Sequence, residues 1–381
     1  MPVVVSLVGG ARPNFMKLAP LYRAFRRDGC FDVRVVHTGQ HYDEQMAGTF
    51  FRDLGLPEPH AALNVGSGTH AAQTARLLER FDADLRASRP DLVVVVGDVN
   101  STLACALAAV KTCYEDGRRP RIAHVEAGLR SFDRTMPEEI NRILTDAIAD
   151  YLFVTEPAGV DNLSREGRVG AGVYLVGNVM IDTLLACAED AIRACPWTAL
   201  GLRHQSYAVA TLHRPSNVDE PEQLARLWEA LCAASERLPV VFPVHPRTRA
   251  GLQSAGLEAP RGLLLCDPQS YLTFLGLLAG SRVVLTDSGG IQEESTVLGV
   301  PCLTLRANTE RPMTVTRGTN RVVGTDARRI VPELHEVLAA AMPARPSLPL
   351  WDGLAASRIV EILEDEVRSG RIGAHVAPAV S

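Results

Sequence analysis

The chain has 381 residues, a formal net charge of −5 and 46% apolar residues, so it falls within the range of soluble globular proteins. This composition excludes a disordered or collagen-like chain, and the length suits two or three domains at ~150 residues per domain. The acidic balance argues against nucleic acid as a partner, because phosphate neutralisation needs clustered Lys and Arg. It still allows a small phosphate ligand, which two or three local cations and backbone amides can hold.

Short apolar runs alternate with longer amphipathic segments in the first half of the chain. Continuous apolarity over a short run is typical of strands that are buried on both faces of a parallel sheet. The predicted strands are 3–8, 33–37, 92–96, 121–125, 151–154 and 173–176. The predicted helices lie near 14–27, 69–87, 100–115, 138–149, 157–166 and 179–194.

The same alternation begins again in the second half of the chain. The predicted strands are 206–211, 240–244, 263–266, 282–285 and 301–305, and the predicted helices lie near 220–237, 246–255, 270–280, 289–298 and 327–341. Two βα series predict an α/β protein with two Rossmann-like, doubly wound domains that face a cleft. We expect domains of 1–178 and 179–352, with a last helix near 353–369 that returns to the first domain.

The eight cysteines give no metal or disulfide pattern. None forms a C-x-x-C pair or lies at zinc-ligand spacing from a histidine, and most lie in apolar runs. Buried thiols of this kind are typical of a reducing cytoplasm. No stretch approaches ~20 apolar residues, so we expect no membrane span and a cytoplasmic location.

Polar residues follow the first predicted strand, at the sheet edge where doubly wound domains bind their ligands. After Gly9 and Gly10 come Arg12, which can grip a phosphate through two guanidinium nitrogens, and Lys17. Alternatively, both are surface residues at the start of a helix. The glycines lack the G-x-G-x-x-G spacing, so the usual signature of a bound dinucleotide is missing.

Three acidic residues, Asp98, Glu126 and Glu138, follow later strands of the same half. Each has a structural alternative. Asp98 can cap a helix, Glu126 can pair with a cation such as Arg130, and either Glu138 or Glu139 can stabilise a helix N-terminus. Because the strand ends meet at one sheet edge, the three carboxylates together predict a proton-transfer set.

The second half places a histidine and a glycine-rich helix start after its strands. His213, beside Arg214, can hold or protonate an anionic leaving group, although a buried histidine is the structural alternative. The run Thr286 to Glu294 is typical of a strand, a serine at the cap position, paired glycines and a helix. The amides of Ser288, Gly289 and Gly290 can bind a diphosphate there, and Glu294 can accept hydrogen bonds from ribose hydroxyls. A plain helix cap is the alternative.

A further strand is followed by Gln269 and Phe274, an amide and an aromatic ring that can read and stack a base. Core packing is the alternative for Phe274. The residues together predict a two-domain site for a nucleoside diphosphate with several carboxylates beside it. A nucleotide-sugar enzyme fits this set better than a binding protein, because binding alone needs no cluster of carboxylates.

The motifs that carry these residues resemble the non-hydrolysing UDP-N-acetylglucosamine 2-epimerase family. They occur in family order and span most of the chain: GGARPNFMKLAPL (9–21), GDVNSTLA (97–104), HVEAGLRSFDRTMPEEINR (124–142), VGNVMIDTL (176–184), HRPSNV (213–218), TDSGGIQEE (286–294) and NTERP (308–312). The resemblance implies the fold of GT-B glycosyltransferases and the reversible conversion of UDP-GlcNAc to UDP-ManNAc without NAD or a metal. The implied route is anti elimination of UDP to 2-acetamidoglucal, followed by re-addition.

The resemblance also implies roles for individual residues. Asp98, Glu126 and Glu138 would be the acid/base carboxylates, and His213 would assist the departing diphosphate. The remaining substrate contacts would be made by Arg12, Ser288, Gly289 and Gly290 at the diphosphate, Glu294 at the ribose, Gln269 and Phe274 at the uracil, and Lys17 and Arg311 as further cations. A second UDP-GlcNAc would regulate the enzyme near Gln40 and His245. A homodimer is usual for the family.

Two stretches depart from many family members, which have GTRPE and HRREN where this chain has GARPN (10–14) and HRPSN (213–217). Asn14 and Pro215-Ser216 therefore lack charges that those relatives carry, which bears on the acyl sugar accepted and on the regulatory site. Four alternatives stay open: a 2-epimerase of a modified sugar such as a 2,3-diacetamido sugar nucleotide, a GT-B glycosyltransferase, a sugar-nucleotide sensor, and a hydrolysing 2-epimerase. The consuming pathway also stays open among cell-surface polysaccharide, teichoic-acid linkage and secondary-metabolite sugars.

Overall fold

The chain divides into two compact units in a computed structural model, which describes residues 2–27, 29–40, 51 and 54–373 apart from the side chain of Arg12. Unit 1 comprises Met1–Thr183 and Leu350–Ser381, and unit 2 comprises Leu184–Pro349. The division thus lies between residues 183 and 184, whereas the sequence predicts it after residue 178. Within the described residues, no helix is long and apolar enough to cross a membrane.

Unit 1 contains a parallel sheet of seven described strands. These are β1 Val3–Gly9, β2 Phe31–His37, β3 Ala61–Ala62, β4 Leu92–Val96, β5 Arg121–Ala127, β6 Tyr151–Val154 and β7 Val173–Leu175. Their order in the sheet is β3-β2-β1-β4-β5-β6-β7. The central strand β4 reads LVVVV and is buried along its whole length, as expected for a strand that helices cover on both faces.

Six helices follow these strands in chain order within the described part of unit 1 before its C-terminal return. They are α1 Arg12–Phe25, α2 His70–Ser88, α3 Asn100–Lys111, α4 Pro137–Ile148, α5 Pro157–Arg165 and α6 Val179–Arg193. Helix α3 ends earlier than the predicted 115, because Thr112 is already extended. The chain reverses its direction across the sheet between β1 and β4, so the carboxyl ends of these strands define the expected ligand edge of unit 1.

Unit 2 repeats this arrangement with six described strands. They are β8 Ala208–Thr211, β9 Val240–Pro243, β10 Leu263–Cys266, β11 Val283–Thr286, β12 Cys302–Thr304 and β13 Asn320–Val322. All are parallel, in the order β10-β9-β8-β11-β12-β13. The corresponding reversal lies between β8 and β11, so the ends of these two strands define the expected ligand edge of unit 2.

The helices of unit 2 complete the second series. They are α7 Pro215–Val218, α8 Pro221–Ser235, α9 Pro246–Ser254, α10 Tyr271–Ala279, α11 Gly289–Leu298, α12 Pro312–Thr316 and α13 Ala327–Ala339, with a 3₁₀ helix at Pro196–Leu200. The predicted fold class, an α/β protein of two doubly wound domains, is confirmed. The sequence analysis missed β3, β13, α7 and α12, because elements of two to five residues leave no periodic pattern.

The C-terminal helix α14 (Ala355–Arg368) belongs to unit 1 and packs against α1. The Asp182 carboxylate on α6 accepts hydrogen bonds from the amides of Ala355 and Ala356, at 3.1 and 2.7 Å. Near the other end of α14, buried Glu366 accepts a bond from the Tyr151 hydroxyl at 3.0 Å. The helix that the sequence predicts to return to the first domain is therefore tied to it near both ends.

We expect Asp182 to make the stability of unit 1 depend on pH. Burial raises the pKa of Asp182 to about 6, although its two amide bonds act in the other direction. Because this folded-state pKa exceeds the ordinary ~3.9, the stabilisation is present at low pH and is lost as pH rises through about 6. Relative to Asp182→Asn, the wild type should lose about 2 kcal/mol of unfolding free energy between pH 4 and pH 7.

Urea unfolding of both proteins across this pH range measures the difference. Asp190→Asn is the matched control, because Asp190 lies on the same helix with a largely exposed side chain. A stability difference between wild type and Asp182→Asn that is the same at pH 4 and pH 7 would contradict the expectation.

Candidate active site

The end of β5 holds a buried ion pair. Glu126 is 4% exposed, and its carboxylate pairs with the ammonium group of Lys17 on α1. The sequence analysis weighed Arg130 as the partner, but the structure pairs Arg130 with Asp146 and Glu166, both at 2.7 Å. Residue spacing could not decide between the two cations, because Lys17 reaches Glu126 only through the pairing of distant strands.

The backbone of Glu126 is strained at this point. Its φ is +76°, a left-handed conformation that costs a residue with a side chain of order 1–3 kcal/mol. The pairing of β5 with β6 shifts register between Val125 and Ala127, so Glu126 occupies a bulge. Bulges of this kind re-aim a side chain, and strain is often found at functional sites.

Gly97, which follows β4, lies against the same ion pair. Its φ is +68°, and a Cβ atom added there would lie 2.9 Å from the Lys17 ammonium and 3.3 Å from the Glu126 carboxylate. Only glycine therefore fits this turn without displacing the pair. Asp98 is the next residue along the chain, so this turn fixes the backbone from which it begins.

Asp98 is held by a cation that the sequence analysis did not single out. The Arg142 guanidinium is almost fully buried and donates to the Asp98 carboxylate at 2.5 Å and to Glu139 at 2.8 Å. Asn141 also donates to the backbone carbonyl of Asp98 at 2.9 Å. The spacing of Glu139 and Arg142, three residues apart on a helix, was the signal that could have identified this arginine.

The neighbouring acids Glu138 and Glu139 differ sharply in their surroundings. Glu139 is 1% exposed and accepts bonds from the amides of Ser131 and Phe132, both at 2.9 Å. Burial opposes its ionisation, but these amides and Arg142 hold the pKa of Glu139 below its usual value. Glu138 is half-buried, and no described residue bonds its carboxylate. Glu139 is thus structural, and Glu138 has its carboxylate available for a ligand.

Asn14 stabilises the turn after β1 through three side-chain hydrogen bonds. Its side-chain oxygen accepts from the amides of Gly10 and Ala11, both at 3.0 Å, and its nitrogen donates to the carbonyl of Val96 at 3.2 Å. A carboxylate could accept the first two bonds but could not donate the third. The backbone of Arg12 begins α1, whereas its side chain lies outside the described part of the structure.

His213 in unit 2 is oriented by a buried acid. Its Nδ1 lies 2.9 Å from the carboxylate of Asp287, which is fully buried and also accepts from the amides of His213 and Arg214. Burial opposes the ionisation of Asp287, but His213 and these amides hold its pKa below the usual value. About half of the His213 side chain is exposed, so its other ring nitrogen can serve a ligand. The sequence analysis did not single out Asp287.

The glycine-started helix α11 begins where the sequence predicts. Ser288 occupies the cap position, but its side chain makes no capping bond, so the amides of the first turn are not used by it. A Cβ atom at Gly289 would lie 2.7 Å from both the Arg311 guanidinium and the Glu310 carboxylate. Glycine at position 289 therefore lets this ion pair approach the helix N-terminus. Gly290 is the second residue of the helix.

An arginine cluster, defined here as Arg214, Arg306, Arg311, Glu293 and Glu310, lies beside this helix. Glu310 contacts Arg311 at 2.6 Å, Arg306 at 2.7 Å and Arg214 at 3.6 Å, and Glu293 contacts Arg311 at 2.9 Å. Burial opposes the ionisation of Glu310, but the three arginines hold its pKa far below the usual value. Three cations against two carboxylates leave the cluster positive, which suits an anion.

Glu294 follows on the same helix and is also buried. Tyr271 donates its hydroxyl to the Glu294 carboxylate at 3.1 Å. Burial, with a smaller contribution from Glu293, raises the pKa of Glu294 to about 7 despite this bond. A carboxylate that accepts a hydrogen bond from one tyrosine can still accept bonds from the hydroxyl groups of a ligand.

Gln269 and Phe274 are the two residues predicted to contact the nucleotide base. Gln269 precedes α10, and Phe274 lies on it. Gln269 donates its amide to the carbonyl of Asp267 at 2.6 Å. Phe274 is half-buried and packs against an apolar cluster that includes Leu275 and Leu278. Its ring thus serves the core at least in part, as the alternative for this residue expects.

Gln40 and His245 both have internal partners. The Gln40 amide oxygen accepts from the backbone and hydroxyl of Ser101 at 3.0 and 2.7 Å, and Gln40 is buried. His245 is exposed at the start of α9, and its Nδ1 accepts from the amide of Arg247 at 3.3 Å. The two residues belong to different units. Among the described residues, no group of three or more His, Cys, Asp or Glu is placed to hold a metal ion.

Fold and site together are typical of a nucleotide-sugar enzyme: a two-domain α/β protein with carboxylates at strand ends in one unit and a glycine-started helix beside an arginine cluster in the other. The family model for UDP-N-acetylglucosamine 2-epimerase matches residues 23–364. The chain is 40% identical to a UDP-N-acetylglucosamine 2-epimerase of Methanocaldococcus jannaschii, over 94% of this chain and 98% of the relative. The chain belongs to the UDP-N-acetylglucosamine 2-epimerase family.

Solved structures agree with this placement. A crystal structure of the M. jannaschii enzyme in complex with UDP-GlcNAc and UDP has a TM-score of 0.86 at 38% identity, covering 95% of this chain and 100% of the other. A UDP-glucosyltransferase from Polygonum tinctorium, 14% identical with a TM-score of 0.55 over 96% of this chain and 99% of the other, shares the fold alone. A further relative from Pseudomonas aeruginosa is a UDP-2,3-diacetamido-2,3-dideoxy-D-glucuronate 2-epimerase, 41% identical over 93% of this chain and 97% of its own length.

The contrast between Glu139 and Glu138 predicts a difference in stability. Glu139→Gln should lower the unfolding free energy by about 3 kcal/mol, because it weakens a buried ion pair with Arg142 and leaves backbone donors without a full set of acceptors. Glu138→Gln should change it by less than about 0.5 kcal/mol. Denaturant unfolding at neutral pH measures both, and equal losses in the two variants would contradict this division of roles.

Proposed function

We propose that this protein interconverts UDP-N-acetylglucosamine and UDP-N-acetylmannosamine by inverting the configuration at C2 of the sugar. The observation that carries the proposal is the set of Asp98, Glu126 and Glu138 at the ends of β4 and β5 and the start of α4, in a chain of the epimerase family. C2 is not α to a carbonyl, so its proton is only weakly acidic. Its removal therefore requires a base and a good leaving group on the neighbouring carbon.

Elimination and re-addition satisfy this requirement. A carboxylate takes the C2 proton while the bond from C1 to the diphosphate oxygen breaks on the opposite side. The C2–H electron pair becomes the C1=C2 double bond of 2-acetamidoglucal, and the C1–O pair leaves with UDP. In the return step the UDP oxygen attacks C1, and an acid delivers a proton to C2 from the other face. The cycle is redox-neutral, so it needs no hydride carrier.

The described contacts of unit 1 support the assignment of proton transfer. Pairing with Lys17 and Arg142 favours the ionised forms of Glu126 and Asp98 respectively. Glu138, which no described residue bonds, is the third member of the set. We assign proton removal and proton delivery at C2 to these three carboxylates together.

The contacts of unit 2 support a role in binding UDP. The amides of Gly289 and Gly290 and the positive arginine cluster suit the diphosphate, whereas the Ser288 amide already donates to the Thr286 hydroxyl at 3.0 Å. His213, which Asp287 orients, would stabilise the charge that develops on the departing diphosphate.

The remaining contacts complete the proposed substrate site. Glu294 would accept from the ribose hydroxyls, and Gln269 and Phe274 would contact the uracil. Arg12 would add a cation at the diphosphate, as the family resemblance implies. Held in this way, UDP would stay available for its return to the glycal.

A second substrate is favoured by a specific observation. The relative that is named for UDP-2,3-diacetamido-2,3-dideoxy-D-glucuronate is 41% identical, as close as the relatives that are named for UDP-N-acetylglucosamine. Overall identity therefore does not separate the two sugars. Competition of both nucleotide sugars in one reaction decides between them by the ratio of their kcat/KM values.

Regulation, assembly and location complete the proposal. A second UDP-GlcNAc near Gln40 and His245 would activate the enzyme, and strictly hyperbolic kinetics would contradict this. We also propose a homodimer, which light scattering on the purified protein tests. A cytoplasmic location is supported by the absence of disulfides among the described residues.

Solvent deuterium tests the reaction route. In deuterated buffer with UDP-GlcNAc as the sole substrate, we expect deuterium at C2 of both epimers, because the C2 proton exchanges on the carboxylates. A time course by ¹H NMR also reports free UDP and free sugar. Epimerisation without label at C2 would contradict the mechanism, release of free ManNAc would indicate a hydrolysing enzyme, and unchanged UDP-GlcNAc would favour a sensor.

Glu138→Gln tests the proton-transfer set. We expect kcat to fall about 10²–10⁴-fold, because the amide cannot exchange a proton with C2. The affinity for UDP should stay within about twofold, since Glu138 is not among the groups assigned to UDP. Glu229→Gln on the exposed face of α8 is the matched control. An unchanged kcat would remove Glu138 from the set.

A further inference from the structure

His124 is a fully buried histidine that the proposed mechanism does not use. It lies on β5 two residues before Glu126 and is 0% exposed. Its Nδ1 lies 2.6 Å from the carboxylate of Asp146 on α4, and its Nε2 lies 2.8 Å from the backbone carbonyl of Gly97. The ring therefore joins three elements of unit 1 at the edge that carries the acidic residues.

Both partners of the ring are hydrogen-bond acceptors. A neutral imidazole has one N–H group and can donate to only one of them, whereas the imidazolium donates to both. In a neutral ring, the nitrogen without a proton would direct its lone pair at a lone pair of its partner oxygen, either the Asp146 carboxylate or the Gly97 carbonyl. The geometry therefore favours the doubly protonated ring.

Asp146 supplies the countercharge that a buried imidazolium requires. It is 1% exposed, lies 2.7 Å from the Arg130 guanidinium and accepts from the amide of Gly128 at 3.0 Å. Burial opposes its ionisation, but His124 and Arg130 hold the pKa of Asp146 below the usual value. Arg130 is in turn paired with Glu166. These contacts leave the carboxylate ionised and fix it in place beside the ring.

The carbonyl that His124 holds belongs to the turn that carries the chemistry. Gly97 has a left-handed backbone, lies against the Lys17–Glu126 pair and precedes Asp98. Rotation of the Gly97–Asp98 peptide would move Asp98 relative to Glu126. A donor fixed beneath the Gly97 carbonyl prevents this rotation.

We infer that His124 is a positioning residue whose doubly protonated ring, anchored on Asp146, fixes the Gly97–Asp98 turn and so sets the placement of Asp98 beside Glu126. This role rests on the proposed function of these carboxylates. The charge of the ring also joins Lys17 and Arg142 in offsetting the negative charge of the acidic set.

The protonation state is testable without any activity. In folded wild-type protein labelled with ¹⁵N-histidine, both ring nitrogens of His124 should resonate as N–H nitrogens, because both face acceptors. The His124→Gln variant assigns the signals by subtraction, and exposed His335 supplies the reference for a histidine in solvent. One nitrogen of the unprotonated type at His124 in the folded protein would overturn the inference.

The positioning role is testable by kinetics. His124→Gln and Asp146→Asn should each lower kcat about 10–100-fold, as is typical when the group that orients a functional residue is removed. KM for the UDP-sugar and the affinity for UDP should stay within about twofold. The matched control His335→Gln should leave kcat unchanged.

The remaining outcomes separate this inference from its premise. An unchanged kcat in both variants would overturn the positioning role. Equal losses in kcat and UDP affinity with an unfolded far-UV spectrum would mean that the ring only supports the fold, and would overturn it too. If the wild type epimerises no UDP-sugar while both ring nitrogens are protonated, the proposed function fails and the protonation state stands.

Discussion

The pairing of charged groups that are taken out of water is the constraint on which much of this structure depends. The strand ends of unit 1 carry Asp98 and Glu126, and a carboxylate taken out of water needs a paired cation or several donors. The structure supplies Arg142 to the first and Lys17 to the second. Unit 2 has the opposite requirement, because buried Arg306 and Arg311 and partly buried Arg214 need carboxylates. Glu293 and Glu310 provide them without neutralising the cluster.

The same constraint explains where the backbone departs from regular geometry. Gly97 and Glu126 both have positive φ. Gly97 lies against the Lys17–Glu126 pair, and Glu126 is one of its two members. For glycine this conformation has little cost, whereas for Glu126 it stores strain that the surrounding sheet must offset. The bulge at Glu126 turns the carboxylate toward Lys17, so an irregular strand end places the functional group that a regular strand would direct elsewhere.

The sequence predicted the fold class because its apolar runs are continuous and alternate regularly with amphipathic segments, as β4 shows. It placed Asp98, Glu126 and Glu138 at strand ends and helix starts for the same reason. It could not predict the pairing of Glu126 with Lys17 rather than Arg130, since that choice depends on which strands are neighbours. It also could not tell which of Glu138 and Glu139 is structural, because both stand in the first turn of α4 and only the loop at Ser131 and Phe132 separates them.

Buried polar partners are the part of the site that sequence patterns reveal least. Asp287 and Arg142 lie inside motifs that carry the family resemblance, and Asp146 lies four residues beyond one of them. Asp287 and Asp146 do not stand out by charge or spacing, because acids are common at such positions, and only the helical spacing of Glu139 and Arg142 points to the arginine. Their importance follows from burial: each is 2% exposed or less and bonds at least two groups of the site.

Asn14 is a buried polar partner at a position where the chain departs from the family pattern. An amide at this position both accepts from the Gly10 turn and donates to Val96, so the loss of a charge there gains a bond between the ends of β1 and β4. The substitution thus tightens the edge at which the carboxylates lie, and its effect on function should be exerted through the placement of those groups.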